Sequence, residues 1–501
     1  MRLQYNVTWT SKYIKSNSHS IIYTSIHKIN RVFPKKIKHH KMVTPQIEKN
    51  SKYAHVLALP YPSQGHINPM IQFCRRLASK NVRVSLAITN YISCTLKPQS
   101  DGHVNLVTVS DGYDEGGFYE AESIEAYLDR LKTIGSKSLA QLIKDHADTS
   151  HPITCLVYDA FLPWALDTAK KYGICGAAFF TQACAVNYIY YLVYHKRLNL
   201  PIEKIPVEIT SLPLMEMRDL PSFVDSPGVY PAYLKLVLEQ NCNLDKADFV
   251  LVNTFYDLES KVINEMSKEC PILTIGPTIP SFYVDKRIDY DRHYGLNLYN
   301  IDATPIAKWL STKPPKSIVY VSFGSMACLP NEQMQELAFG LQQCPFKFIW
   351  VVRASEIDKL PNNFINDTNQ KGLIVTWSEQ LEVLANEAIG CFFTHCGWNS
   401  TVEALALGVP MVGMPQWTDQ PTDAKFVEDV WGVGVRVNVD EKGIVKRGEI
   451  VKCINEVMVG ENRLKFVENA KIWKDLSKKA ICEGGSSDEN IDLFVSKISN
   501  F

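Results

Sequence analysis

The sequence lacks an excess of charge of either sign. It has 53 Lys and Arg residues against 53 Asp and Glu residues, so no overall field favours nucleic acid or an acidic membrane surface as a partner. It also lacks the run of about 18 apolar residues that a membrane span needs and the apolar core of an N-terminal signal peptide. Small-molecule chemistry is the class of function that these absences favour.

The 13 cysteines have neither the spacing of zinc ligands nor the density of a disulfide-stapled secreted domain. Their number is odd, and several lie within apolar runs, as Cys155, Cys184 and Cys391 do. We expect them to be reduced core residues of a cytoplasmic protein.

The N-terminal stretch differs from the rest of the chain. Residues 1–41 contain nine Lys or Arg residues and no acidic residue, and they show no apolar periodicity. Because such a composition cannot form a core, residues 1–50 are predicted to be a disordered basic extension or the product of an upstream start site. A targeting peptide is the alternative, since such peptides are rich in Ser and poor in acidic residues.

Short apolar runs alternate with segments of helical periodicity from Tyr53 onwards. The first run, 54–59, precedes a loop and a helix that is predicted to begin at Asn68 and Pro69. The same order of strand, loop and helix recurs between 317 and 414. This alternation predicts an α/β protein with parallel, doubly wound sheets.

The pattern divides the chain into two halves of Rossmann-like size, 51–281 and 305–482. The stretch between them, 282–304, is rich in Tyr, Asp and Arg without periodicity and is predicted to be a linker. A Gly-Gly break then precedes a short amphipathic segment, so 483–501 is predicted to carry a C-terminal helix.

Two polar residues of the first half lie where parallel strands end, which is where open α/β sheets bind ligands. His66 follows the first predicted strand, and Asp159 follows the strand that ends at Tyr158. A neutral imidazole at this position could take a proton from a hydroxyl group, and a neighbouring carboxylate could stabilise the resulting imidazolium cation. The alternatives are structural: His66 could bond a loop carbonyl, and Asp159 could cap the next helix.

The second half carries a turn, 395–400, between a buried strand and a helix. Ser400 and Glu403 have the spacing of a capping box. The alternative is a phosphate site at the helix N-terminus, formed with His395 and Asn399, with Glu403 accepting hydrogen bonds from a ribose. Trp377 offers a flat face for a base or is a half-buried core aromatic.

A further polar pair, Asp419 and Gln420, follows the last strand of this series. An adjacent acid and amide can make paired hydrogen bonds to sugar hydroxyls, and the same residues could cap a helix.

The block WSEQLEVLANEAIGCFFTHCGWNSTVEALALGVPMVGMPQWTDQ, residues 377–420, resembles the signature box of plant family-1 UDP-glycosyltransferases. PYPSQGHINPMIQFCRRL and VYDAFLPWALDTAKKYG resemble the acceptor-side opening and the Asp-bearing segment of that family. The resemblance extends over 53–501. SDGYDEGG and FTQACAVNYIYY resemble the subgroup that glucosylates carboxylic acids, terpenoids and related apolar aglycones.

The resemblance implies a GT-B fold, in which two Rossmann-like domains face each other across a cleft, with 51–281 binding the acceptor and 305–482 the UDP-sugar. It implies inverting transfer of glucose from UDP-glucose to a hydroxyl or carboxyl group of a small apolar acceptor, without a metal or other cofactor. A monomer is expected, and the C-terminal helix is expected to return to the first domain.

The resemblance also assigns roles. His66 is the expected general base and Asp159 its partner. The donor would be bound by Ser325, Trp377, Gln380, His395, Trp398 through its backbone, Asn399, Ser400, Glu403, Asp419 and Gln420. One departure from the family pattern, Ser378-Glu379 after the Trp, concerns only the local loop shape.

Candidates for the acceptor pocket are Tyr113, Phe118, Phe161, Phe179 and Gln182, each of which is also credible as ordinary packing. The acceptor itself is not determined by residue types.

Three rival functions fit the sequence less well. A metal-dependent glycosyltransferase would carry an Asp-x-Asp motif at a strand end, but Asp289-Tyr290-Asp291 lies in the aperiodic linker and is predicted to be solvated. A nicotinamide-dependent oxidoreductase would need Gly-x-Gly-x-x-Gly after an early strand, which this sequence lacks. A non-catalytic nucleotide-sugar binder would lack His66 or Asp159.

Overall fold

The computed structural model describes residues 54–96, 102–296 and 304–500. The predicted extension 1–50 therefore lies outside the described residues. Within them, no helix is both long enough and apolar enough to cross a membrane.

Two parallel sheets organise the chain. The first has seven strands in the order β3-β2-β1-β4-β5-β6-β7: β1 (His55–Leu59), β2 (Arg83–Thr89), β3 (Asn105–Val109), β4 (Cys155–Asp159), β5 (Cys175–Phe180), β6 (Phe249–Val252) and β7 (Ile272–Thr274). The second has six strands in the order β10-β9-β8-β11-β12-β13: β8 (Ile318–Ser322), β9 (Lys347–Val351), β10 (Gly372–Val375), β11 (Ile389–Thr394), β12 (Met411–Gly413) and β13 (Gly434–Arg436). The predicted pair of Rossmann-like sheets is confirmed.

Helices cover both sheets. They are α1 (Gln64–Ser79), α2 (Asn90–Leu96), α3 (Ile124–Ala147), α4 (Trp164–Lys171), α5 (Cys184–Tyr194), α6 (Ser222–Asp225), α7 (Pro231–Glu239), α8 (Tyr256–Met266), α9 (Thr304–Leu310), α10 (Asn331–Gln343), α11 (Phe364–Asp367), α12 (Gln380–Leu384), α13 (Trp398–Leu407), α14 (Gln420–Lys425), α15 (Arg447–Val459), α16 (Arg463–Ile481) and α17 (Ser486–Ile498). Because helices lie on both faces, central strands such as β1, β4 and β11 are buried along their whole length. Apart from polar residues at some strand ends, their sequences are continuous apolar runs rather than alternating ones.

The two sheets share one apolar cluster. It includes Leu57 and Tyr158 of the first sheet region together with Ile318 and Trp398 of the second. The indole of Trp398 donates to the carbonyl of Asn253 at 2.7 Å, which joins the second half to the first. The carboxyl ends of the two sheets are thereby held together.

Helix α17 packs on the first sheet although it follows the second in sequence. Phe494 lies against Phe73 and Phe249, with ring centroids 5.8 and 5.0 Å away. The hydroxyl of Ser487 donates to the carbonyl of Gly276 at 2.6 Å. The last helix therefore returns to the first half of the chain.

Two predicted helix starts are wrong. Helix α1 begins at Gln64, so Pro69 lies inside the helix rather than at its first position. Helix α13 begins at Trp398 with Gly397 as its N-cap residue. Ser400 and Glu403 therefore lie within the helix and do not form a capping box.

The linker was predicted to be solvated at Asp289-Tyr290-Asp291, and for Asp291 this prediction is wrong. Asp289 is exposed, whereas Asp291 is fully buried, with Oδ1 2.9 Å from Nη1 of Arg75 on α1. The compensating cation is 216 residues away in sequence, so local sequence gives no sign of it. The described residues contain no group of three or more His, Cys, Asp or Glu side chains placed to hold a metal ion.

Candidate active site

His66 and Asp159 meet because β1 and β4 are neighbours in the sheet. His66 is in the first turn of α1, and Asp159 is the last residue of β4. His66 Nδ1 lies 2.7 Å from Asp159 Oδ2, and Asp159 Oδ1 accepts from the amide of Phe161 at 3.0 Å. A proton on Nδ1 that is donated to Asp159 leaves Nε2 as the basic nitrogen.

The surroundings of His66 are aromatic. The rings of Tyr61 and Phe161 lie 5.2 and 4.8 Å from the imidazole, centroid to centroid. The hydroxyl of Thr181, which follows β5, lies 3.2 Å from His66 Nδ1. The His66 side chain is 16% exposed and that of Asp159 is 1% exposed, so the carboxylate is buried beneath an imidazole that reaches the surface of the site.

In the second half, the turn after β11 presents a buried histidine. Burial lowers the pKa of His395 to about 4, so this imidazole is neutral at physiological pH. Gly324, whose φ is +72°, and Gly397 flank it, and a Cβ on either would lie 2.8 or 2.5 Å from His395 Nε2. Glycine at both positions lets the two turns approach the imidazole.

Glu403, on α13, is held by two hydrogen bonds. Gln380 donates through Nε2 to Glu403 Oε2 at 2.7 Å and to the hydroxyl of Ser400 at 2.8 Å. The hydroxyl of Tyr294 donates to Glu403 Oε1 at 2.7 Å. Burial raises the pKa of Glu403 to about 7. The ionised and the protonated forms of this carboxyl are therefore both populated at neutral pH.

The loop before α14 places Asp419 and Gln420 at the start of that helix. Gln420 Oε1 accepts from the amides of Gln416 and Trp417 at 2.9 and 3.2 Å. Burial raises the pKa of Asp419, and nearby His66 opposes that rise. The carboxylate of Asp419 therefore lies within electrostatic reach of His66.

Asn399 connects the two halves directly. Its Nδ2 donates to the carbonyl of Gly65 at 2.6 Å, one residue before His66. Pro69 has no N–H, so this carbonyl lacks the donor that a helix would otherwise supply four residues later.

The remaining donor-site candidates lie on three segments of the second half. Trp377 follows β10 and is half-buried, as is Ser325 in the loop after β8. The carbonyl of Ser325 accepts from Arg353 Nη1 at 2.7 Å. The side chain of Trp398 is buried in the shared apolar cluster, which leaves its backbone at the start of α13.

Among the acceptor-pocket candidates, Phe161 lies against His66. The prediction that Phe179 lines the acceptor pocket is wrong, because Phe179 is fully buried in the core with its ring 5.6 Å from that of Phe73. Tyr113 stacks on Tyr127, 5.6 Å between centroids. The other candidates are Phe118, which is 40% exposed, and Gln182, which is buried.

Near His66 a small apolar recess, with a volume of about 10 Å³ and so room for about one water molecule, adjoins the ends of the first strands. Residues that line it include Pro62, Ile67, Leu131, Leu162 and Trp164. These residues were not among the predicted ones, although Ile67 follows His66 directly in the sequence.

Two polar residues of the site were missed from the sequence. Thr181 follows β5 directly and could have been found by the same strand-end argument that selected Asp159. Tyr294 comes from the linker, where no periodic pattern marked it.

Comparisons with known proteins identify the family. Residues 292–475 match the family model described as "UDP-glucoronosyl and UDP-glucosyl transferase". UDP-glycosyltransferase 74F2 of Arabidopsis thaliana is 53% identical over 454 residues, which cover 90% of this chain and 99% of that protein. Flavonol 7-O-beta-glucosyltransferase UGT74F1 of the same plant is 52% identical over 449 residues, covering 89% and 98%.

Solved structures support the same family assignment. Os79 from O. sativa in complex with UDP superposes with a TM-score of 0.84 at 41% identity, covering 88% of this chain and 100% of that one. The superposition shows that the two sheets form a GT-B fold. The chain belongs to the family of UDP-glycosyltransferases.

Proposed function

We propose that the protein transfers glucose from UDP-glucose to a hydroxyl or carboxyl group of a small apolar acceptor, with inversion and without a metal. The observation that carries this proposal is the His66–Asp159 pair, 2.7 Å apart, joined to the donor-side turn through Asn399 and Gly65. Relatives named as glucosyltransferases, such as crocetin glucosyltransferase 2 of Crocus sativus at 46% identity, support glucose as the sugar.

The chemical step follows from the pair. His66 Nε2 takes the proton of an acceptor hydroxyl as its oxygen bonds to the anomeric carbon. The bond from that carbon to the diphosphate oxygen breaks on the opposite face, so an α-linked donor gives a β-glucoside and UDP. Asp159 stabilises the imidazolium as it forms, and general-base help of this kind contributes about 10² to 10⁴ in rate.

The donor is placed by the second half. The amides at the start of α13, beginning with that of Trp398, would stabilise the diphosphate together with His395, Asn399, Ser400 and Ser325. Each such donor is worth a few kcal/mol in the barrier when it acts on developing charge. Trp377 would stack on the uracil with Gln380 beside the uridine, Glu403 would accept from the ribose, and Asp419 and Gln420 would bind the hexose.

The acceptor would bind on the His66 side. The aromatic rings of Tyr61 and Phe161 beside the His66 imidazole support an apolar molecule, and Tyr113, Phe118 and Gln182 stay candidates for the outer wall of its pocket. We infer a cytoplasmic monomer; all 13 cysteines are free thiols, which suits a reducing compartment, and one chain supplies every proposed site residue.

A product assay tests the proposal. The purified protein is incubated with UDP-glucose, with and without chelator, against phenolic, terpenoid, fatty and hormone-acid acceptors. We expect UDP release and a β-glucoside or glucose ester in both conditions. Loss of activity with chelator would contradict the metal-free mechanism, and no transfer to any acceptor class would contradict the function.

A further inference from the structure

The linker that joins the two halves is fastened to the helix that carries the base. Gln64 Nε2, at the start of α1, donates to the carbonyl of Leu296 at 2.7 Å. Arg75, on the same helix, pairs with the buried Asp291 at 2.9 Å. Residues 281–296 therefore have a defined place beside α1.

Between these two anchors, Tyr294 points at the donor site. Its side chain is buried, with 9% of the residue exposed, and its hydroxyl donates to Glu403 Oε1 at 2.7 Å. Gln380 donates to the other carboxylate oxygen at 2.7 Å. The carboxylate is thus held from two sides by segments that are distant in sequence.

We propose that Tyr294 is a positioning residue of the donor site: its hydroxyl orients the carboxylate of Glu403 so that the carboxylate can accept hydrogen bonds from the ribose of a nucleoside diphosphate sugar. This inference rests on the proposed function, and it makes the linker part of the donor site.

Tyr294 is one of several groups that set the pKa of Glu403. Burial raises the pKa of Glu403, and the hydrogen bonds from Gln380 and Tyr294 lower it, while the charge of Glu379 raises it. The other titratable groups that face the carboxylate are the phenols of Tyr283 and Tyr320, whose own pKa values are raised by burial, so both are neutral.

Loss of the Tyr294 hydroxyl removes one of the two donors that favour the ionised form. The pKa of Glu403 then rises above its value of about 7, and a larger fraction of the enzyme carries a protonated carboxyl at neutral pH. A protonated carboxyl has less acceptor capacity for ribose hydroxyls.

The experiment is a pH series of steady-state kinetics with saturating acceptor. For Tyr294→Phe we expect the KM for UDP-glucose to rise about tenfold at pH 7, which corresponds to loss of one hydrogen bond to a charged group. The kcat should stay within about twofold, because Tyr294 is away from the reacting carbon. The acidic limb of kcat/KM should move to higher pH.

Two controls separate positioning from packing. Tyr283→Phe alters a tyrosine of the same linker segment and should leave both KM and the acidic limb unchanged. In a Glu403→Gln background, which cannot titrate, Tyr294→Phe should have less than about a twofold effect. Tyr294→Leu also lacks the hydroxyl and should move the acidic limb in the same direction, whatever its cost in thermal stability.

Unchanged KM and an unmoved acidic limb in Tyr294→Phe would overturn the inference, as would an undiminished effect in the Glu403→Gln background. Absence of UDP-glucose transfer by the unmodified protein would instead overturn the proposed function, and it would be seen before any variant is compared.

Discussion

At the scale of single residues, the site depends on a buried carboxylate that is bonded to a more exposed imidazole. Asp159 is almost fully enclosed and bonded to both His66 and a backbone amide. The histidine that it orients is open to the cleft. This division suits a pair in which one group moves a proton and the other stabilises the charge.

We predict that His66→Ala lowers kcat on a hydroxyl acceptor by about 10² to 10⁴ while UDP-glucose binding changes little, because most of the proposed donor contacts lie in the other half. Asp159→Asn should lower kcat less, since it retains the shape and loses the charge. The double variant should be little worse than His66→Ala, because Asp159 then has nothing to orient. Kinetics and calorimetric UDP-glucose binding on the four proteins test this.

Simple multiplication of the two effects would contradict the assignment of base and partner. An ionised carboxylic acid acceptor supplies an internal control, because it needs no base and should show a much smaller His66 effect.

A second histidine links stability to pH. His55 is buried in β1, with Nδ1 2.9 Å from the carbonyl of His151 and Nε2 2.9 Å from the hydroxyl of Ser85. Burial lowers the pKa of His55 to about 4, from 6.5 in an exposed site. The unfolded chain therefore binds more protons than the folded one between those values, so this contribution to stability is lost as pH falls below about 6.5.

Between pH 7 and pH 5 we expect His55 alone to lower the free energy of unfolding by about 2 kcal/mol. Urea unfolding at both pH values measures it. His55→Gln should reduce the pH dependence by about that amount, whereas His195→Gln, at an exposed position, should not. Equal pH dependence in the His55 variant would contradict the prediction.

At the scale of elements, α1 contains a proline that a helix interior normally excludes. Pro69 removes one helical hydrogen bond and leaves the half-buried carbonyl of Gly65 to accept from Asn399. The helix thereby loses a local bond and gains one to the other half of the protein, next to the base.

We predict a coupling between Pro69 and Asn399. Asn399→Ala should lower the free energy of unfolding by about 1–3 kcal/mol, because it leaves the carbonyl of Gly65 without a donor. In a Pro69→Ala background the loss should be smaller, since an alanine there restores the helical amide donor. Urea unfolding of the four proteins gives the coupling energy, and additive effects would show that the carbonyl is not shared.

At the scale of the whole molecule, polar and apolar contacts join the two halves. Asp219, which is buried in the first half, lies 2.6 Å from Arg436 and 3.4 Å from Lys425 of the second. The indole of Trp431 donates to the carbonyl of Leu258 at 3.2 Å. Helix α17 adds a further connection by packing Ile491 and Phe494 into the core of the first sheet.

The two ends of the chain should respond differently to truncation. A variant that lacks residues 1–50 should retain its melting temperature and its activity, because the composition of that stretch cannot form a core. Removal of 486–501 should lower stability strongly, since it exposes apolar surface on both the helix and the sheet. Thermal unfolding and the transfer assay measure both, and a large loss after the N-terminal deletion would contradict the first expectation.

The sequence by itself determined the fold class and the local parts of the site. Apolar runs alternating with helical segments specify parallel sheets, because each strand must be covered on both faces. Strand-end position selected His66 and Asp159, since all carboxyl ends of a parallel sheet lie at one edge. The family signature likewise supplied the donor-site candidates between Trp377 and Gln420, because it is a contiguous segment.

Only the tertiary structure decided the rest. Phe161 lies two residues after β4, and Phe179 lies one residue before the end of the neighbouring strand β5. Because both faces of the sheet are apolar, the sequence could not indicate which of the two rings faces the site. The start of α1 was misplaced because a proline in a helix is favoured at its first position, and here the bond that Pro69 removes is compensated by Asn399 from the other half. Asp291 and Tyr294 lie in a stretch without periodicity, and their partners, Arg75 and Glu403, are more than a hundred residues away. A buried charge or hydroxyl is determined by the group that compensates it, and that group is brought near only when the chain folds.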